Sequence, residues 1–311
     1  MPPRLEVPSN GQVPPTDLVP NPDANMLAGL TITPAKQLTT DRFNGLFYAF
    51  PGVGKTTIAG MFADYEPARD VLIVDCEGGA SVLAHRDYVD VVQVRTWQDF
   101  QKVLTYLERE PRGKIKYNTV CFDNVTELAA MHLSSLVGAG SIEIQHYGMN
   151  TAAMMSTARK VRDLSRFRDM NTVLIAWQDT KENKLTHITR QTVALTEKLS
   201  ARLPGVPNVV GHITIENNPP LYTRKLSFAA SPLNDAKFRR STGDDSTNVP
   251  DIIYYGLHQN PIADMLRTLY EGAPFPADQY KRPVGRTPAI TVGMGTAQKR
   301  TQAEQEQSES D

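Results

Sequence analysis

The chain has 311 residues and a formal net charge of −1. That is length for one large domain or two small ones, and without a global basic excess any contact with nucleic acid has to come from a local patch. Its two cysteines, Cys76 and Cys121, sit in apolar runs, which predicts reduced, buried thiols of an intracellular, cytoplasmic protein and not a disulfide. No apolar run reaches the roughly 18 residues of a transmembrane helix, and the N-terminus has no signal-peptide core, so no membrane partner is expected.

Residues 1–36 contain eight prolines and few large apolar side chains, the composition of a disordered arm. The folded part is expected over residues 37–272. Residues 273–311 read as a second disordered tail, broken early by Pro274, Pro276, Pro283 and Pro288 and closed by a polar run.

The folded part opens on "FNGLFYAFPGVGKTTIAGMFADY". Residues 43–50 are apolar enough for a buried parallel strand. Ile58, Met61, Phe62 and Tyr65 follow at helical spacing. Between them lies the phosphate-loop pattern G-x-x-x-x-G-K-[ST], with Ala49 at the first glycine. Backbone N–H groups of such a loop converge on an anion, and the helix N-terminus adds positive character. Pro51, Gly52, Val53, Gly54, Lys55, Thr56 and Thr57 are therefore the expected nucleotide contacts. Lys55 reaches the outer phosphates and Thr56 holds Mg²⁺, which implies ATP and Mg²⁺ as cofactors.

Strand and helix patterns then alternate. "VLIVD" (71–75) predicts a buried strand and "YVDVVQV" (88–94) a short one. Residues 96–110 predict a helix with Trp97, Phe100, Leu104 and Leu107 on one face and Thr96 as N-cap. "NTVCFD" (118–123) is a third buried strand, helices are expected near 125–137 and 151–169, and "NTVLIAW" (171–177) is another strand. This alternation predicts an α/β sandwich around a mostly parallel sheet. "VVGHITIE" (209–216) and "LYTRKLSFAA" (221–230) alternate about "NNPP" and predict an antiparallel hairpin at the sheet edge. A last helix starts near Pro261.

Two apolar strands end in Asp75 and Asp123. The first as Mg²⁺-supporting carboxylate would make a kinase-like or GTPase-like protein. The second would place an extra strand beside the phosphate loop, as in RecA-like and AAA+ ATPases; Asp123 is preferred. Glu77, just past a strand end, is the preferred general base over Glu127. Gln178 ends the later strand. Lys55, Thr56, Glu77, Asp123 and Gln178 would then share one carboxyl edge, where open α/β sheets bind ligands.

The order phosphate loop, "VDCEGG", "VCFDN", "AWQDTK" resembles the RecA/Rad-type recombinase core. It is most similar to small phage-encoded RecA-like ATPases that act with single-strand annealing and single-strand-binding proteins. The resemblance spans roughly residues 43–255. It implies a RecA-like P-loop NTPase sandwich in the cytoplasm of a host cell. It implies Glu77 as the catalytic carboxylate and Gln178 as the γ-phosphate sensor leading into a DNA-binding loop. Single-stranded DNA, further copies of the chain in a ring or filament, and a single-strand-binding or annealing protein are the implied partners. Ala49 and Asn124, which stands where Ser or Thr is usual, depart from the pattern.

The same resemblance maps DNA-facing loops to residues 138–150 and 179–207. The second carries Lys181, Lys184, Arg190, Lys198 and Arg202, cations able to neutralise phosphates. His146 and Tyr147 are candidates to stack on bases. Arg159, Lys160, Arg162, Arg166 and Arg168 form a weaker cationic candidate on the intervening helix, and every such run also fits a solvated face. In "DAKFRR", Lys237 and Arg239 are preferred over Arg240 as cations supplied to a neighbouring subunit's γ-phosphate. Two other functions compete with a DNA-stimulated ATPase: a replication-accessory or helicase-loading ATPase without strand exchange, and a phosphotransferase using Asp75.

Overall fold

A computed structural model describes residues 42–182, 187–218, 221–239 and 248–282. The strands are β1 (Asn44–Ala49), β2 (Val71–Asp75), β3 (Val89–Gln93), β4 (Thr119–Asp123), β5 (Asn171–Glu182), β6 (Thr189–Val193), β7 (Val209–Asn218), β8 (Leu221–Ser227), β9 (Lys237–Phe238) and β10 (Ile252–Tyr255). The α-helices are α1 (Lys55–Gly60), α2 (Trp97–Arg109), α3 (Val125–Val137), α4 (Ile144–Phe167), α5 (Glu197–Arg202) and α6 (Pro261–Glu271).

The sheet runs β10-β8-β7-β1-β5-β4-β2-β3, with β6 added to β5 and β9 to β7. From β3 to β7 every neighbour is parallel, and β8 and β10 continue antiparallel. β1, β2 and β4 are buried at every residue, as parallel strands covered on both faces must be. α1 and α6 cover one face, where Phe47, Ile58, Phe62, Ile175 and Leu266 meet. α2, α3 and α4 cover the other, around Leu46, Phe100, Phe122, Leu128 and Val161. Thr96 caps α2 as expected, accepting from the Asp99 N–H at 3.1 Å. This is the α/β architecture of the P-loop NTPases, with the expected antiparallel edge.

The structure corrects four details. The strand at 171–177 does not stop there: β5 continues to Glu182 and returns as β6, so 179–207 is a hairpin followed by α5, not a loop. α4 begins at Ile144, so much of the expected 138–150 loop is helix; the Glu143 backbone N–H donates to His146 Nδ1 at 3.0 Å and starts it. β7 lies next to β1, and the edge beyond β8 is closed by β10, a four-residue strand too short for a clear alternation. Finally, the fold runs on past 272. Phe275 and Tyr280 are buried in the core beside α6, so residues 273–282 are not tail; 283–311, like the arm, lie outside the described residues.

Candidate nucleotide site

The phosphate loop links β1 to α1. Gly52 and Gly54 have φ of 78° and 109°, the left-handed region that glycine enters without a Cβ penalty. At Gly54 a Cβ would also come within 2.9 Å of Arg224 Nε. Lys55 is buried, and its ammonium donates to the Phe50 carbonyl at 3.1 Å. Burial lowers its pKa, while Glu77 and Asp123 pull the other way.

Register aligns the chemistry. Asp75, Asp123 and Ile175 stand abreast on β2, β4 and β5, and Trp177 pairs with Ala49 at the start of the loop. β5 therefore separates the loop strand from β4, as the Asp123 alternative requires. The two aspartates are used differently. Asp75 spends its carboxylate on its own turn, accepting N–H bonds from Glu77 (3.1 Å), Gly78 (2.7 Å) and Ala80 (3.2 Å). Asp123 Oδ2 accepts from the Thr56 hydroxyl at 2.5 Å, while its Oδ1 is buried without a hydrogen-bond partner. Buried polar atoms rarely go unpaired, so this oxygen is open to a cation or a cation-bound water. Burial, then nearby Glu77 and Asp75, push the Asp123 pKa up to about 6 against the pull of Thr56. A hard cation between Thr56 and Asp123 suits this oxygen donor set.

Glu77 is exposed, with Oε2 held twice. It accepts from Asn124 Nδ2 and from Trp177 Nε1 at 3.2 Å. The same Asn124 caps α3, accepting from the Glu127 N–H at 2.8 Å. Asparagine at this position therefore links the start of α3 to Glu77, its amide oxygen accepting from the helix and its amide nitrogen donating to the carboxylate. Glu127 contributes its backbone to this cap.

Gln178 does not join this group. Along "NTVLIAWQ" side chains alternate: Val173 and Ile175 face α1, Leu174 and Ala176 face the α2–α4 layer. Gln178 follows the second set, and its Oε1 meets His212 Nε2 at 2.8 Å. His212 stacks on Tyr48 with ring centroids 4.7 Å apart. Trp177 instead follows the first set and its indole reaches Glu77, a change of face the two-residue period of the strand would have revealed. Arg224 is the second residue that sequence reasoning missed. Its Nε donates to the Val53 carbonyl at 2.8 Å across 171 residues of chain, and nothing local signals it.

The cationic candidates scatter. Lys181 and Arg190 are partners across the β5–β6 hairpin, but Arg190 is ion-paired to Asp235. Lys184 lies outside the described residues. Lys198 and Arg202 are exposed on α5. On α4, Lys160 pairs with Glu108 and Arg162 with Asp163. Lys237 is half-buried on β9 opposite Val210, toward the amino end of β7 and away from its own phosphate loop. Burial, then Arg239, lower the Lys237 pKa to about 8. Arg240 is outside the described residues. No cluster of three metal-ligating His, Cys, Asp or Glu side chains occurs among the described residues, and no described helix is long and apolar enough to cross a membrane.

A family model described as an AAA domain matches residues 42–240. No curated protein matches the chain.

Proposed function

The chain belongs to the AAA-domain family of P-loop NTPases, and on that premise we propose that it is a Mg²⁺-dependent ATPase whose turnover is coupled to single-stranded DNA. The observation that carries the ATPase reading is the convergence of Lys55, Thr56, Asp123 and Glu77 around one unpartnered, buried carboxylate oxygen. Thr56 and Asp123 are the residues to hold Mg²⁺, which when bound supplies positive charge to the outer phosphates. Lys55, now parked on the Phe50 carbonyl, is free to exchange that neutral acceptor for a phosphate oxygen, a stronger charge-assisted bond. Asn124 and Trp177 fix one oxygen of Glu77; the other is left to take the proton of an attacking water.

The DNA part rests on the β5–β6 hairpin. It extends the strand that passes directly beside the phosphate loop, and it bears Lys181 and Arg190, with Lys198 and Arg202 following on α5; Lys184 falls between the two strands in sequence, outside the described residues. Gln178 is the coupling residue in this reading. Its backbone enters the hairpin, and its amide meets His212, which stacks on the residue preceding Ala49. Work on DNA in recombination or annealing, with a ring or filament of this chain and a single-strand-binding or annealing protein, is the role proposed. A replication-accessory or helicase-loading role uses the same site and differs in lacking annealing or filament activity. The phosphotransferase alternative loses its support, because Asp75 is consumed by the 77–80 turn.

The test is ATP turnover with and without single-stranded DNA, at two salt concentrations. Stimulation that weakens with salt is expected. Turnover indifferent to DNA would remove the DNA part and leave the ATPase. Stimulation without annealing or filament formation would select the accessory role.

A further inference from the structure

Asp123, Glu77 and Trp177 all lie on the β4–β5 side of the phosphate loop, the side of the outer phosphate. A nucleoside triphosphate with its outer phosphate there has room for its sugar and base on the other side, across β7 toward β8 and β10. On that side Arg224 of β8 rests on the loop at the Val53 carbonyl. Directly beside it in register is Tyr255 of β10. Here a cavity of about 480 Å³ opens, lined among others by Tyr222, Tyr254, Tyr255, Gly256, Gln259 and Gln279.

We propose that this cavity takes the purine base and ribose of the nucleotide, with Arg224 as the bridge from the phosphate loop and the segment 275–281 as its outer wall. The proposal rests on the phosphate-loop reading and deepens it. Its volume is in the range of small-molecule sites, and its wall offers flat aromatic faces and amide edges, with no carboxylate among the lining residues. That chemistry suits an uncharged aromatic ring with polar edges. Tyr222 is 71% exposed, an open ring at the rim. Tyr255 is almost fully buried and closes the cavity from the core side. Gln259 builds the wall. Its Oε1 accepts from the Gly256 N–H at 2.7 Å, and its Nε2 donates to the Gln279 carbonyl at 2.6 Å. Phe275 and Tyr280 anchor that segment in the core. Gly256 needs no left-handed backbone, and a Cβ there would meet only Gln259 Oε1 at 3.7 Å.

The test compares Mg²⁺-dependent binding of ATP, CTP and inorganic tripolyphosphate by calorimetry. Wild type is expected to bind ATP at least about ten-fold more tightly than tripolyphosphate, since stacking of a base contributes roughly 1–3 kcal/mol, and more tightly than CTP, whose one-ring base presents a smaller stacking face. Gly256→Val fills the cavity and Tyr222→Ala removes an aromatic face; each should lose most of the ATP preference and keep tripolyphosphate affinity. Lys55→Ala should lose all three ligands. A thermal melt checks that Gly256→Val folds; if it does not, the exposed Tyr222→Ala decides. Wild-type ATP affinity in a folded Gly256→Val variant, or in Tyr222→Ala, would place the base elsewhere and leave the phosphate loop standing. Equal wild-type affinity for ATP and tripolyphosphate would overturn the base site in the same way. Binding of neither would overturn the phosphate-loop reading and this proposal with it.

Discussion

Asp75 and Asp123 end adjacent strands at the same level, and what separates them is the fate of four oxygen atoms. Both oxygens of Asp75 serve the backbone of the 77–80 turn, so it holds a loop; one of Asp123's is left bare beside Thr56. Substitution separates the roles. Asp123→Asn removes a buried charge whose pKa stands about 2 units above its ordinary value, a cost of about 3 kcal/mol above pH 6. The variant is expected to melt higher than wild type at pH 7 and to lose Mg²⁺-dependent ATP binding. Asp75→Asn, which breaks the turn, is expected to melt lower; a calorimetric scan of both distinguishes them. Lys55→Ala is expected to abolish nucleotide binding, since the loop amides do not replace a point charge. Glu77→Gln should keep ATP affinity and lose about 10²–10⁴-fold in turnover, the usual worth of a general base. Trp177→Phe, which removes one of the two donors to Glu77, should fall between, with turnover restored by no change of ATP concentration. If Glu127→Gln carries the Glu77 phenotype instead, the base is misassigned.

At the scale of elements, what is legible in the sequence is what is local. Gly52, Gly54, Lys55 and Thr56 are contiguous, so the loop announces itself, and the runs at β2, β4 and β5 are buried strands in any context. Where β5 ends is not local. Its extension to Glu182 is stabilised by β6, and β6 by the Asp235 contacts to Arg190 and Thr192, all beyond any reading of "NTVLIAW". The same distance hid the pairing of Gln178 with His212. That pair has a pH signature. Burial, then Lys225, lower the His212 pKa to about 4. A group depressed from about 6.5 gives stability that is full above pH 6.5 and lost as pH falls toward 4. Asp123, raised toward 6, acts oppositely: its stability is full below about pH 4 and lost as pH rises through 6. The two slopes oppose each other over nearly the same window, so wild-type stability should be nearly level there. His212→Asn should become more stable on acidification from pH 6.5 to 4, and Asp123→Asn less stable. Denaturant midpoints across that window measure this; parallel slopes in both variants would show that neither group governs acid stability.

The whole molecule raises the question of what Lys237 and Arg239 face. β9 pairs with Val209 and Val210 at the amino end of β7, and the phosphate loop follows the carboxyl end of β1, to which β7 is parallel. Lys237 on β9 and Arg239 just after it therefore lie toward the opposite end of the strands from their own loop. We propose that in a head-to-tail assembly they serve the next one, a heterologous contact that builds a ring or a filament and not a two-fold dimer. A cation delivered this way stabilises charge on the transferring phosphoryl group, worth roughly 10³–10⁵ in rate for an arginine finger. The half-burial of Lys237 adds a condition. With its pKa lowered to about 8 by burial and by Arg239, Lys237 loses its charge as pH rises through 8. ATP turnover by assembled protein is thus expected to fall above pH 8, and Lys237→Arg, whose guanidinium does not titrate there, should hold its rate to higher pH. Mixing supplies the second arm. Lys55→Ala subunits keep the cations but not the phosphate loop, and Lys237→Ala/Arg239→Ala subunits keep the loop but not the cations. Each preparation alone should be nearly inactive, and the mixture should recover part of the wild-type rate where an intact β9 meets an intact loop. A double variant that turns over ATP normally at dilutions where the chain is monomeric would place the cluster at an ordinary surface turn, as would a mixture no more active than its parts together with an unchanged alkaline limb in Lys237→Arg.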